Sequence, residues 1–464
     1  MLHSYLKALL SSHNIEVTES KESILNIFVE DFKEEIEQAI KINKNLVDKY
    51  QIRNKIKDIT DQWVSLPNAT VGKPYQHKVD IIGLGWDTMV FTSMEGLDEL
   101  GMAYDNENEI ISGTPNFSGD HKIKFLYRLQ GEEDHVVNEK VFNFIVNPNP
   151  RSLWKNIGSN TDDVYWKADE IFDNQKLGDR QIVVASKRGR SHANAGTFRD
   201  DDFAFKHFEN TGWSIISVAD GAGSASQARQ GSKIACRSVI DYTEEYFKGE
   251  KLVEFDQVLA QHHHNATDET NKYISTFVYE NLSKMAYYAH KKIEEEAVKC
   301  ERSIKDYHTT LIFTLLKKYE FGYAVLTFGV GDCPIGLLNK DLSEIKLMNW
   351  LDVGEFGGGT RFVTMPEIFS SDKFVSRFRF KLVDDFSYLM LMTDGIYDPK
   401  FIVEANLERI EKWKEFIADL QGANEENTVV DFSPENENIG QQLSTWLDFW
   451  SSGNHDDRTL AIIY

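Results

Sequence analysis

Proline is scarce in this chain, nine in 464 residues, which leaves long helices and strands uninterrupted. Against that background Asn147-Pro148-Asn149-Pro150 stands out as a stiff linker. Cysteine is scarcer still. Cys236, Cys300 and Cys333 share no metal-ligand spacing, so buried or idle thiols in a reducing compartment are expected. No apolar run approaches the roughly 18 residues of a membrane-spanning helix. The opening Met1-Leu2-His3-Ser4-Tyr5-Leu6 lacks the basic stretch and cleavage site of a secretory leader. Positive charge is also short. With 51 Lys and Arg against 74 Asp and Glu, the net charge is −23, which argues against nucleic acid or an anionic membrane as partner. A soluble, cytoplasmic protein of two or three domains is expected.

What is abundant is aspartate at the ends of apolar runs. Trp213 to Ala219 reads as a strand that ends at Asp220, turns on Gly221 and Gly223, and enters a helix of small residues. Phe328-Gly329-Val330-Gly331-Asp332 and Leu389-Met390-Leu391-Met392-Thr393-Asp394-Gly395 repeat the design. Asp456-Asp457 stands before a last strand, and Arg199-Asp200-Asp201-Asp202-Phe203 lies upstream. Carboxylates gathered at strand ends suit hard divalent cations, magnesium or manganese, which take oxygen ligands. Two such ions hold the attacking and leaving oxygens of a phosphoryl transfer, and a water on them loses its proton near neutral pH. Asp220 is the candidate bridge between the ions, with the Gly221 carbonyl beside it. Asp394 and Asp456 would complete one ion, and Asp201 the second.

The remainder of the chain divides by texture. Residues 1–62 read as helix, with Ile24, Phe28, Phe32, Ile36 and Ile40 forming an apolar stripe. Residues 63–148 show short strands between Gly/Pro turns, among them His77 to Ile82, Ile123 to Leu129 and Lys140 to Val146, a β-sandwich pattern. Leu66-Pro67 through Gly72-Lys73-Pro74-Tyr75 and Ile111-Ser112-Gly113-Thr114-Pro115 resemble bacterial Ig-like domains, which implies a binding or spacer role. Residues 149–174 read as linker. From 175 to 464 the chain reads as one α/β unit, with helices over Ala225 to Phe247, Thr270 to Ala297 and Phe401 to Leu420. Leu311 to Leu316 and Tyr323 to Phe328 read as an antiparallel pair.

The order Arg-Asp-Asp-Asp-Phe, Val218-Ala219-Asp220-Gly221-Ala222-Gly223-Ser224, His308-Thr309-Thr310-Leu311, Gly329-Val330-Gly331-Asp332, Met392-Thr393-Asp394-Gly395 and Asp456-Asp457-Arg458-Thr459 resembles the metal-dependent serine/threonine phosphatases of the PPM, or type 2C, family, in particular its bacterial branch. The resemblance implies an α+β fold, a four-layer α-β-β-α sandwich over residues 175–464. It also implies two Mg²⁺ or Mn²⁺ ions on Asp201, Asp220, Gly221, Asp394 and Asp456, with Asp332 holding a weaker third. A phosphoprotein would be the substrate and a serine/threonine kinase the opposing partner.

The chain departs from that pattern at three places. Asp200-Asp201 replaces the usual Glu-Asp pair, and Asp202 leaves the register open by one. Gly196 stands where the phosphate-binding Arg is usual; Arg188, Arg190, His192 or Arg199 could take over, with His192 and Arg188 favoured because they follow the end of a strand. Asp457 replaces the usual Asn. Three other features read more plainly. Gly221-Ala222-Gly223-Ser224 lacks the third glycine of a dinucleotide loop. His262-His263-His264 reads as a solvated loop, and Gly354 to Thr360 as a flap over the cleft or a surface loop. Besides an active phosphatase, a degenerate one that binds a phosphoprotein or kinase without turnover, and one acting on small phosphoesters, remain consistent with these residues.

Overall fold

The structure, a computed structural model, describes residues 1–352, 359–451 and 453–464. Most of the expected flap, 354–358, therefore lies outside the described residues. The chain divides into two compact units, Met1–Leu153 and Trp154–Tyr464.

The first unit opens with helices α1 (Leu2–Ser12), α2 (Glu22–Asp31) and α3 (Lys33–Asp61). Only the later part of the expected stripe, Ile36 and Ile40, packs into the core of these helices. Leu6, Leu25, Val29 and Ile36 are buried together, whereas Ile24, Phe28 and Phe32 are exposed. Helix α2 ends before Phe32, and a strict four-residue repeat drifts about 40° per step around a helix, so it cannot hold one face. Seven strands follow: β1 (Ala69–Thr70), β2 (Tyr75–Lys78), β3 (Met89–Glu95), β4 (Met102–Asp105), β5 (Ile110–Gly113), β6 (Gly119–Leu129) and β7 (Asn138–Asn147). They form sheets of order β1-β7-β6-β3 and β2-β5-β4. Phe125, Tyr127, Phe142 and Phe144 alternate inward from β6 and β7 and pack with Trp86. Buried Lys140 reaches from β7 to the last carbonyls of α3, 2.7 Å from Ile59 O, as suits a cation at a helix C-terminus.

The second unit is built from two antiparallel sheets. One has the order β10 (Asp202–Phe208), β11 (Trp213–Ala219), β12 (Leu311–Tyr319), β13 (Gly322–Val330), β16 (Phe378–Val383). The other runs β15 (Ile345–Leu347), β14 (Ile335–Asn339), β17 (Phe386–Met392), β18 (Arg458–Ile463), β9 (Arg180–Lys187), β8 (Glu170–Leu177). The segment read as linker thus supplies the start of β8, and its earlier part packs on this unit through Ile157 N–H to Ala193 O at 2.8 Å.

The central strands read as unbroken apolar runs because both of their faces are covered. Ile182, Val184, Ile216, Val218, Leu389, Leu391, Ala461 and Ile463 point between the sheets and form a shared core. Their odd–even neighbours point outward. Trp213, Ile215 and Phe313 meet α5 (Ala228–Tyr246), α6 (Glu250–His264) and α7 (Asp268–Lys299). Val183, Ala185, Met390, Met392, Leu460 and Ile462 meet α9 (Asp394–Phe401), α10 (Ile410–Leu420) and α11 (Ile439–Trp446). The period of two therefore generates the four-layer α-β-β-α sandwich. Two short helices are α4 (Arg190–Ala195) and α8 (Glu367–Ser370), the latter adding Ile368 to the core beneath α5, α6 and α7.

Two local readings change. The helix expected over Phe401 to Leu420 is broken after Phe401, where Ile402 takes a positive φ of 69°, and resumes as α10. The histidine run is the last turn of α6 rather than a loop. His262 Nδ1 lies 2.9 Å from Thr270 Oγ1 and the His263 ring stacks on Phe321.

A candidate metal centre

Asp220 leaves β11 at the end of the sheet, and two threonines fix its backbone. Its N–H donates to Thr310 Oγ1, and its carbonyl accepts from Thr310 N and Thr309 Oγ1, all at 2.8 Å. An isolated antiparallel bridge joins Gly221 to Thr309. Its hydrogen bonds run through the flanking residues, Thr310 N to Asp220 O and Ala222 N to His308 O. The Gly221 carbonyl is thereby left out of the ladder and available to a ligand.

The other acids arrive at the same end. Asp394 starts α9 where β17 stops, Asp456 precedes β18, and Asp332 follows β13. Glycines let these backbones touch. A Cβ at Gly189 would lie 2.3 Å from the Asp456 carbonyl carbon, one at Gly221 2.6 Å from Asp200 O, and one at Gly395 2.0 Å from Asp457 O. Asp220, Asp332 and Cys333 bring ligand atoms within 4.8 Å of one another, as do His192, Asp456 and Asp457.

The electrostatics single out Asp220. Loss of water and then the charges of Asp394, Asp201, Asp456 and Asp332 push its carboxyl far above the ordinary range. It is the acid that feels the charges of the other four. Asp394 is raised to about 8 by desolvation and by Asp456 and Asp332, and one of its oxygens, Oδ1, is buried with no hydrogen-bond partner among the described residues. A carboxylate oxygen left in that state needs a proton or a cation. Asp201, Asp220, Asp394, Asp456 and the Gly221 carbonyl offer oxygen donors, which suit Mg²⁺ or Mn²⁺, whereas the nearby Cys333 and His192 do not.

The Asp200–Asp202 run resolves by environment. Asp202 pairs with Lys167 Nζ at 3.0 Å, which keeps its carboxyl low despite burial, and it faces away from the cluster. Asp201 is buried, and its Oδ2 accepts from Thr459 Oγ1 at 2.7 Å and Thr393 Oγ1 at 2.8 Å. Asp200, raised to about 7 by desolvation and by Asp457, lies 4.0 Å from His192 Nε2.

His192 joins the cluster, and Arg188 does not. Burial alone would lower the His192 pKa, but the hydrogen bond from Nδ1 to Asp457 at 3.1 Å, with the charges of Asp457, Asp200 and Asp456, lifts it to about 10. Its Nε2 is 3.9 Å from Asp456. The Arg188 guanidinium is taken up by Thr197 O, Asn156 Oδ1, Ile157 O and Asp169 Oδ2, each at 3.0 Å. Arg199 holds Ser186 and the Asp201 backbone instead, and Arg190 pairs with Asp448.

Sequence reasoning passed over Asp457 as a mere departure. Its buried carboxylate accepts from Gly189 N and Asp200 N, both at 2.5 Å, and from His192, so its lone pairs go to positioning rather than to a cation. The signal was the adjacency of two acids before β18. Alternation along an extended chain sends one into the cleft and the other beneath it.

A cluster of carboxylates at one end of a four-layer α-β-β-α sandwich is what the fold and site define. The chain belongs to the protein phosphatase 2C family, whose model matches residues 188–448. Among solved structures it is similar to serine/threonine phosphatase Stp1 from Staphylococcus aureus at 13% identity, over 66% of this chain and 96% of that one, with a TM-score of 0.35. It is also similar to the catalytic domain of the phosphatase PstP, solved with two manganese ions, at 13% identity over 61% and 97% of the chains, with a TM-score of 0.35. A bacterial serine phosphatase matches at 12% identity over 61% and 96%, also at 0.35. No curated protein matches the chain. Among the described residues, no helix is long and apolar enough to cross a membrane.

Proposed function

We propose that this chain is a metal-dependent protein phosphatase that hydrolyses phosphoserine and phosphothreonine. The observation that carries the reading is the convergence of Asp201, Asp220, Asp332, Asp394 and Asp456, in which Asp394 Oδ1 has no hydrogen-bond donor among the described residues. Asp220, the Gly221 carbonyl, Asp394, Asp456 and Asp201 would hold two Mg²⁺ or Mn²⁺ ions, and Asp332 a third. When bound, the ions supply charge neutralisation for the phosphate and an acidified water. The chain's own residues do the rest. Thr309 and Thr310 fix the Asp220 backbone, and Thr393 and Thr459 aim Asp201. Asp457 orients His192, which we assign as the cationic group that meets the substrate phosphate. The first unit, with its Ig-like strands, would choose targets, and a serine/threonine kinase would supply the phosphoprotein.

One observation favours the second reading, binding without turnover. Gly196 brings no side chain to the place of the usual arginine, and Arg188 is engaged elsewhere. Manganese-dependent hydrolysis of p-nitrophenyl phosphate decides between them. Turnover that Asp220→Asn reduces by at least about 100-fold supports the enzyme. Tight manganese binding with no turnover in the unsubstituted chain supports the binding module.

A further inference from the structure

We propose that the cavity on the far side of the Lys187–His192 turn is a specificity pocket for an oxyanion carried by the substrate chain near its phosphorylated residue. This rests on the phosphatase reading. The cavity measures about 360 Å³ and is lined by Lys155, Lys187, Arg188 and Arg190 together with Asp169, Glu170 and Asp448. Four cations against three carboxylates leave it locally positive in a chain of net charge −23. A carboxylate or phosphate group fits that volume with room for water.

The cations are only partly used. The Arg188 side chain is 3% exposed, and its Nε–H is buried without an acceptor among the described residues. The Nε–H of Arg190 is in the same state. The Nη2 groups of Arg188 and Arg190 already donate, to Asn156, Ile157 and Asp169 and to Asp448, so each Nε–H is a single further donor that an oxyanion in the cavity would satisfy. Lys187 Nζ sits 3.4 Å from Glu170 and 3.9 Å from Asp448, ion pairs slack enough to re-form around an incoming anion. Buried donors with no acceptor are costly, so their presence in a cation-lined cavity points to an anionic ligand.

The pocket is tied to the reacting centre by short covalent paths. Arg188 precedes Gly189, whose N–H holds Asp457, and Arg190 stands two residues before His192. Ser191 N–H donates to His455 O at 3.1 Å, immediately before Asp456. The His455 ring lies against Trp154, which lines the pocket, and against Trp450, over which Arg190 stacks. This aromatic rim offers an apolar track for a peptide running from the acid cluster to the pocket.

The test compares phosphopeptides that differ only near the phosphoserine, bearing alanine, aspartate or a second phosphoserine in a position scan. The full 464-residue chain with manganese is expected to favour an acid-flanked peptide over its alanine twin by on the order of tenfold in kcat/KM. Lys187→Ala and Lys155→Ala should each bring that ratio towards one. The ratio is internal to each protein, so a general loss of activity cancels. The aspartate and phosphoserine arms tell which oxyanion is read. A ratio near one in the unsubstituted chain at every scanned position, or a ratio untouched by both substitutions, overturns the pocket. If neither peptide nor p-nitrophenyl phosphate turns over, the phosphatase reading fails instead. Fluorescence polarisation of the same labelled peptides then reads the pocket alone, and equal affinities overturn it.

Discussion

The two glycines of Asp220-Gly221-Ala222-Gly223 look alike in sequence and should behave oppositely on substitution. A Cβ added at Gly221 would stand 2.6 Å from Asp200 O, 2.9 Å from Asp200 Cβ and 3.0 Å from the Ala228 carbonyl carbon. Ordinary contact begins at 3.4 Å, so the strand end and the Asp200 backbone must part by about 0.8 Å. At Gly223 nothing lies within 4 Å. Overpacking of this kind costs about 1–3 kcal/mol of stability, and a displacement near 1 Å at a reacting centre costs about 100-fold in rate. Gly221→Ala is therefore expected to lose on the order of 10- to 100-fold in kcat/KM towards p-nitrophenyl phosphate with manganese, and to melt earlier. Gly223→Ala should keep wild-type values in both. Equal losses in the two variants, or none in Gly221→Ala, would refute the close approach of Asp200 to the strand end.

Further outcomes follow from the buried charges. Asp457→Asn replaces an acceptor of two backbone N–H groups with a side chain that also donates, so it should cost about 1–3 kcal/mol. With the partner that raises it gone, burial should bring the His192 pKa down from about 10, as an imidazole NMR titration of the metal-free variant would show. The metal-free chain should lose stability as pH rises from about 4 to about 8. Asp200 and Asp394, at about 7 and about 8, bind protons in the folded state that the unfolded chain has already released, so the folded state is penalised as they ionise. Thermal melts across that range check the sign, and added manganese should reverse the loss at the alkaline end.

The central strands of the second unit, β9, β11, β12, β13, β17 and β18, were legible because they carry apolar residues on both faces, sorted by period-two alternation between inner and outer cores, whereas the polar edge strand β8 was not. The acids were legible for a related reason: a strand that ends in Asp-Gly delivers its carboxylate to the sheet's edge. Side-chain commitment was not legible. Arg188 and His192 share one turn, yet Asn156, Ile157, Thr197 and Asp169 claim the first while Asp457 claims the second. Those partners lie up to 265 residues away in sequence. The same limit applies to Asp202, which only Lys167 distinguishes from Asp201. In the first unit the every-fourth-residue stripe misled because helix α2 stops before Phe32.

On the phosphatase reading Asp220 would bridge two cations. Anomalous diffraction at the manganese edge, from crystals grown with Mn²⁺, tests it most directly. Two peaks about 3.5–4 Å apart, both within ligand distance of Asp220, are expected. Peaks elsewhere, or no peak between Asp220, Asp394 and Asp456, would contradict it.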